Sequence, residues 1–177
     1  MESISADDRD ELLRTFREEA LHLELRDVYA TNGGEVDKFA AWKAGEPWDE
    51  ADYRAWMRPW CDRIRADTAN GKTYRTAKVV SEPLSDYHRW GYPLAGMLHE
   101  AGQQVRFVPR RLLSAVALPG NDFWLLDRTT ATFNVFSPEH EVCDRQLSTD
   151  PDVIEFCLTS FEAVWKLGVP QPEYHPD

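Results

Sequence analysis

The sequence predicts an α/β or α+β fold, a mixed sheet covered by helices, and three observations carry that expectation. Segments with apolar residues at helical spacing interleave with segments that alternate like strands. A hairpin signature, DFWLLD then DRTT then ATFNVF, lies in the second half. The chain has 177 residues, the length of a single domain, and can bury a large core without disulfide staples. Within one domain, residues 1–71 read as mainly helical, with Trp42, Trp48, Trp56 and Trp60 as a candidate lid, and 72–177 as an α/β core.

The elements follow in order. Asp8 to Ala20 places Leu12, Leu13, Phe16 and Ala20 on one stripe with acids in the first turn, an amphipathic helix. LHLELRDVYA then sets Leu21, Leu23 and Leu25 against His22, Glu24 and Arg26, the alternation of a strand with one buried face, broken by Asn32-Gly33-Gly34. A short helix is expected around Val36 to Ala44, a turn at Gly45-Glu46-Pro47, and a longer helix from about Glu50 to Thr68 that Asn70-Gly71 closes. YRTAKVVS reads as a strand ending at Glu82-Pro83, where proline cannot extend a ladder. Leu84 to Ala101 is helical in pattern, with Gly91 and Pro93 expected to bend or split it before Gly102. QQVRFVP is a strand, LPGN a loop, and the hairpin follows. Asp150-Pro151 caps a final helix whose stripe is Ile154, Cys157, Leu158, Phe161 and Trp165, stopped by Gly168 and Pro170.

Net charge is −11, which opposes adhesion to DNA or anionic lipid and predicts no direct nucleic-acid binding. The charge is uneven: 72–111 carries 7 basic and 3 acidic side chains between two acidic flanks. Such an island pairs with its own flanks or receives a small anionic ligand or an acidic partner. No stretch is apolar enough to span a bilayer, and MESISADDRDELL has no leader pattern. With three widely spaced cysteines, Cys61, Cys143 and Cys157, the expectation is a reduced, cytoplasmic protein.

His140, Cys143 and Asp144 lie close in sequence but lack ligand spacing, so neither a metal nor a cofactor is expected. Cys61 and Cys157 fall inside helices as apolar fillers. No G-x-S-x-G elbow, P-loop or G-x-G-x-x-G occurs. Arg75 and Lys78 face opposite sides of an ideal strand, while Arg106 and Arg110 share a side. With Glu82, Asp86, Tyr87 and His88 they form either a polar pocket at the strand ends or a set of surface ion pairs. Tyr53, Trp56, Trp60, Tyr87, Trp90 and Tyr92 line a groove or belong to the core, and Trp56 and Trp60, four apart, are expected to stack.

Through WMRPW, GKTYRTAKVVSEPLSDYHRW, EAGQQVRFVPRR, LPGNDFWLLD and FEAVWKLGVPQPEY, from about Phe16 to Tyr174, the chain resembles an uncharacterised actinobacterial family of unknown function, often encoded beside helix-turn-helix regulators. Its relatives tend to carry Glu-Asp where this chain has Gln103-Gln104, and a glutamate near Gly91. Residues 103–168 also resemble a phospholipase D-type half domain. Active members carry His-x-Lys-x-x-x-x-Asp, in which histidine attacks phosphorus and lysine holds the phosphate oxygens. Laid on that motif, Gly120 takes the histidine position, Asp122 the lysine position and Asp127 the aspartate position. The first two cannot do that chemistry, which leaves Asp127 as a turn residue whose carboxylate caps nearby N–H groups.

The resemblance and the absent nucleophile imply a non-catalytic regulatory or partner-binding protein, with a helix-turn-helix regulator as partner. Arg75, Lys78, Arg106 and Arg110 would supply charge complementarity, and Tyr87 and Trp90 apolar anchors. The alternative is a small-molecule-binding protein or enzyme with a polar pocket around Glu82, Asp86, His88 and Arg106. A third reading is a dimer formed through exposed aromatics.

Overall fold

A computed structural model describes residues 1–176. Its strands are β1 (Glu2–Ser3), β2 (Glu19–Glu24), β3 (Thr73–Val80), β4 (Gln104–Pro109), β5 (Asp122–Leu126), β6 (Thr130–Phe136), β7 (Val142–Ser148) and β8 (Val169–Pro170). Its helices are α1 (Ala6–Thr15), α2 (Gly34–Lys43), α3 (Glu50–Ala69), α4 (Asp86–Glu100) and α5 (Pro151–Leu167). The eight strands form one mixed sheet in the order β1-β7-β6-β5-β2-β3-β4-β8. β2, β3 and β4 run parallel and the other neighbours antiparallel. Parallel neighbours need long crossovers. α2 and α3 make the one from β2 to β3, and α4 the one from β3 to β4. β2, drawn from the first 71 residues, therefore lies inside the sheet, between β5 and β3.

The period of two along each strand divides the side chains between two cores. One face carries Leu21, Leu23, Ala77, Val79, Val108, Phe123, Leu125 and Phe133, and α5 covers it with Ile154, Cys157, Phe161, Val164 and Trp165. The other face presents Ala20, Tyr74, Trp124 and Leu126 to Leu13 and Phe16, to Tyr53, Cys61 and Ile64 of α3, and to Trp90, Leu94 and Met97 of α4. Cys61 and Cys157 are buried and Cys143 is exposed. Trp56 and Trp60 do not stack on each other as the helical spacing predicts. Trp56 meets Tyr53 and Trp90, while Trp60 meets Tyr74, because the rings point to different neighbours across the α3–sheet seam.

Two helix boundaries depart from the sequence pattern for identifiable reasons. α1 begins in a capping box between Ser5 and Asp8 but stops at Thr15 rather than Ala20. The Asp127 carboxylate takes the N–H groups of Arg17, Glu18 and Glu19, at 2.9, 2.8 and 3.1 Å, and so directs the chain into β2. Asp127 and Arg128 both have positive φ, 51° and 55°, as the central pair of the tight turn that the Thr129 N–H closes on the Leu126 carbonyl between β5 and β6. α4 starts after Ser85, whose side chain accepts from the His88 N–H, and runs unbroken through Gly91 and Pro93. The carbonyl that Pro93 leaves without a donor belongs to Arg89, a solvent-facing residue that water can serve. Among the described residues no helix is long and apolar enough to cross a membrane.

Candidate functional site: a polar cleft over the sheet

The face covered by α3 and α4 changes character along its strands. β2 continues from Ala20 to His22 and Glu24 on the same side, and β5 runs back from Trp124 to Asp122. Pairing registers set Arg145 of β7 opposite Asn134 of β6, and Asn134 opposite Asp122 of β5. Glu24 of β2 follows in the same progression and is itself paired with Lys78 of β3. A row of five polar side chains thus crosses five strands in the order cation, amide, acid, acid, cation. Above it opens a cleft of about 720 Å³. Its walls are the β2–α2 loop with Tyr29, Glu35 of α2, Tyr87 of α4, Arg9 of α1 and the β6–β7 hairpin.

The floor is built from mutually satisfied groups. Glu24 pairs with Lys78 Nζ at 2.5 Å and with His22 Nδ1 at 3.4 Å. Burial alone would push the Glu24 pKa up, but the Lys78 charge, with His22 and the hydrogen bond, outweighs it and holds the carboxyl below its ordinary value. His22 stacks on Trp124, ring centroids 3.9 Å apart and planes 7° from parallel. Burial lowers its pKa to about 4, so the imidazole is neutral at pH 7. Asp122 is 2% exposed. Its Oδ1 accepts from the Leu25 N–H at 2.9 Å and its Oδ2 from the Tyr29 hydroxyl. Burial nevertheless raises its pKa to about 6.

The rim is tied down by further bonds. Arg26 donates to His140 Nδ1 at 2.8 Å and lies over the Phe136 ring, 4.7 Å from its centroid. His88 Nε2–H donates to the Arg26 carbonyl at 3.0 Å. Asp27 accepts from the Ser81 N–H and hydroxyl, both at 2.7 Å, and from Arg110 at 3.3 Å. Three charged wall residues, Arg145, Glu35 and the exposed Glu141, stand outside this network among the described residues. Arg145 Nε is shielded from solvent without a hydrogen-bond partner. Glu35 accepts one long bond, 3.4 Å, from the Asn32 N–H, and burial raises its pKa.

The structure scatters most of the residues singled out by sequence. Tyr87 lines the cleft, Lys78 ends its row, and His88 is buried behind the rim. Trp90 is core, its Nε1–H donating to the Tyr53 hydroxyl at 3.0 Å. Arg75 lies on the α5 face, paired with Glu19 and Glu162 and packed over Phe161 and Trp165. Arg106 shares that face, over the Trp165 ring at 4.5 Å and donating to the Trp165 carbonyl. Arg110 bonds the Leu25 carbonyl, Ser81 and Asp27, away from Arg106. Glu82 meets Arg111 and the Tyr174 hydroxyl, and Asp86 meets Arg89 on the α4 surface. Glu82, Asp86, His88 and Arg106 are therefore not brought together. All seven basic residues of 72–111 bond within the chain, Lys72 through Asp67. His22, Glu24, Asn134 and Arg145 were not singled out. The available signal was the polar half of the β2 alternation, because ionisable residues on a strand flanked by apolar ones need buried partners. Among the described residues no group of three or more His, Cys, Asp or Glu could hold a metal ion.

No curated protein matches this sequence. Among solved structures the chain is similar to TrmBL2, an archaeal chromatin protein whose structure shows a novel mode of DNA binding. The likeness covers 93% of this chain and 49% of that one, at 10% identity and a TM-score of 0.45. The chain thus spans about half the length of TrmBL2. The expectation of no direct nucleic-acid contact, drawn from net charge, is corrected by this match. Total charge does not describe a local surface, and the likeness in turn assigns no binding to this chain. The model of the family described as "Domain of unknown function (DUF6879)" matches residues 7–176, nearly the whole chain, and this protein belongs to that family.

Proposed function

We propose that this chain is a non-catalytic regulatory protein that binds a small polar molecule in the cleft over β2, β5 and β6. One observation carries the reading: the cleft floor is a fixed polar surface whose charged groups satisfy one another, Glu24 through Lys78 and His22, Asp122 through Leu25 and Tyr29. Such a surface is preorganised for recognition. It offers a poor nucleophile, since His22 is stacked and held neutral by burial with a pKa of about 4. No cysteine lines the cleft among the described residues. A catalytic reading is favoured by Asp122, whose pKa of about 6 suits a general acid or base. Both its oxygens, however, already accept bonds from the chain.

The resemblance of 103–168 to a phospholipase D-type half domain belongs to this proposal, with Gly120 and Asp122 where active members place histidine and lysine. So does the likeness to an actinobacterial family encoded beside regulators, which gene neighbourhood would test. The direct experiment is a thermal-shift screen against a metabolite library. A ligand at one hundred times its Kd stabilises the fold by about 2.7 kcal/mol. For a domain of this size that raises Tm by roughly 5–11 °C. A flat screen over amino acids, amines, sugars and nucleosides would overturn the reading.

A further inference from the structure

We infer that the cleft is built for a zwitterion whose anionic end meets Arg145 and whose ammonium end meets Glu35. This rests on the cleft being a binding site and names the chemistry of its occupant.

The charged side chains around the cleft differ in whether the chain itself satisfies them. Arg9 is paired with Asp10 at 2.6 Å, Lys78 with Glu24, and Arg26 with the His140 ring. Arg145 has no acceptor among the described residues, and its Nε is sealed from solvent as well as unbonded. A guanidinium has five donors and no acceptor, so one that lines a cleft with none of its donors bonded calls for a carboxylate or a comparable planar anion at its open N–H groups. Besides Asp122, which the chain itself bonds, two lining acids lack a cation among the described residues: Glu141 is exposed to solvent, whereas Glu35 is half-buried. It is a partly desolvated carboxylate with one long N–H bond and, among the described residues, no cation within ion-pair distance. An ammonium group supplies what it lacks, and Tyr29 and Tyr87 add aromatic rings to the same cleft, a setting that favours a cation.

Arg145 sits on β7 and Glu35 at the start of α2, so the occupant's two charges are held by separate elements of the cleft wall. Asn134 lies beside Arg145 in the polar row, with an amide that can donate and accept next to the anionic end. Net acidity of the whole chain excludes a free anion as the favoured occupant less directly than this pairing does: a lone anion would leave Glu35 unpaired, and a lone cation would leave Arg145 so.

The test is a calorimetric titration of the full chain with glycine, γ-aminobutyrate, ε-aminocaproate, hexanoate and hexylamine, repeated on Arg145→Gln and Glu35→Gln. The Arg145 side chain bonds nothing else among the described residues and that of Glu35 holds only the Asn32 N–H, by one long bond; near-UV circular dichroism checks that both variants are native. The expected result is that ε-aminocaproate binds at least tenfold more tightly than hexanoate or hexylamine, with glycine and γ-aminobutyrate reporting the charge spacing that the cleft prefers. Arg145→Gln should bring ε-aminocaproate down to the affinity of hexylamine without changing hexylamine. Glu35→Gln should bring it down to that of hexanoate. Equal binding of hexylamine and ε-aminocaproate, or indifference to Arg145→Gln, overturns the zwitterion assignment. If all five probes fail while another molecule from the thermal screen binds, the assignment falls and the cleft remains a binding site. If nothing binds at all, both fall.

Discussion

Replacing Asp127 with alanine removes the clamp that starts β2. The carboxylate accepts three backbone N–H bonds, from Arg17, Glu18 and Glu19, at 2.9, 2.8 and 3.1 Å. A hydrogen bond to a charged group contributes about 1.5–3 kcal/mol when shielded. Two of these are solvent-exposed, so water replaces much of their value and about 0.5 kcal/mol each is a fair allowance, with about 1.5 kcal/mol for the part-buried third. Alanine at φ 51° adds about 1 kcal/mol of backbone strain. The total is about 3.5 kcal/mol, or a Tm lower by roughly 7–14 °C for a domain of this size. Urea unfolding followed by tryptophan fluorescence measures it, with Asp127→Asn as the comparison that keeps one acceptor oxygen and tolerates the left-handed backbone. Burial raises the Asp127 pKa, but the three N–H bonds outweigh it and hold the folded value below 3.8. The contribution is therefore present above the unfolded pKa and disappears as pH falls through the folded one. Asp127→Ala within about 0.5 kcal/mol of wild type at pH 7 would refute the clamp, since surface substitutions of no consequence fall in that range.

Three further outcomes follow from the same geometry. Asp122, raised to about 6 from 3.8, binds its proton more tightly when folded, so wild type should gain up to about 3 kcal/mol as pH drops from 6 to 4; Asp122→Asn should lack that slope in pH-dependent urea unfolding. The His22 ring should titrate by NMR with a midpoint near 4, and a midpoint near the ordinary 6.5 would deny its burial against Trp124. Gly168→Ala would place a Cβ 2.9 Å from Arg106 Cβ and 3.0 Å from Val108 Cγ2, and should cost about 1–3 kcal/mol in the same unfolding assay.

Where local chemistry decides an element, the sequence reveals it. α3, α4 and α5 announce themselves through apolar stripes, capping side chains at Asp49, Ser85 and Asp150, and closing glycine or asparagine. The β5–β6 hairpin does so through its turn, and the role of Asp127 as an N–H acceptor is legible from its position there. β7 is not, because VCDRQLS has no apolar alternation; it is a strand through its pairing with β6 and β1. The end of α1 is likewise invisible, being set by a carboxylate some 110 positions away. The cleft is a matter of register. Arg145, Asn134, Asp122 and Glu24 are far apart in sequence and are aligned by four strands whose order is not a local property. Basic residues at 75, 106 and 110 look like a cluster in sequence, yet the alternation of β3 and β4 and the partners on α5 divide them.

The central claim is that the cleft over β2, β5 and β6 is a ligand site, and amide NMR of the isotope-labelled chain tests it most directly. Titrated with the best hit of the thermal screen, the account predicts saturable shifts gathered at Tyr29, Glu35, Tyr87, Asn134 and Arg145, with the α5 face around Trp165 unmoved. Shifts centred on that α5 face, or a hit that raises Tm without moving the cleft amides, would contradict it.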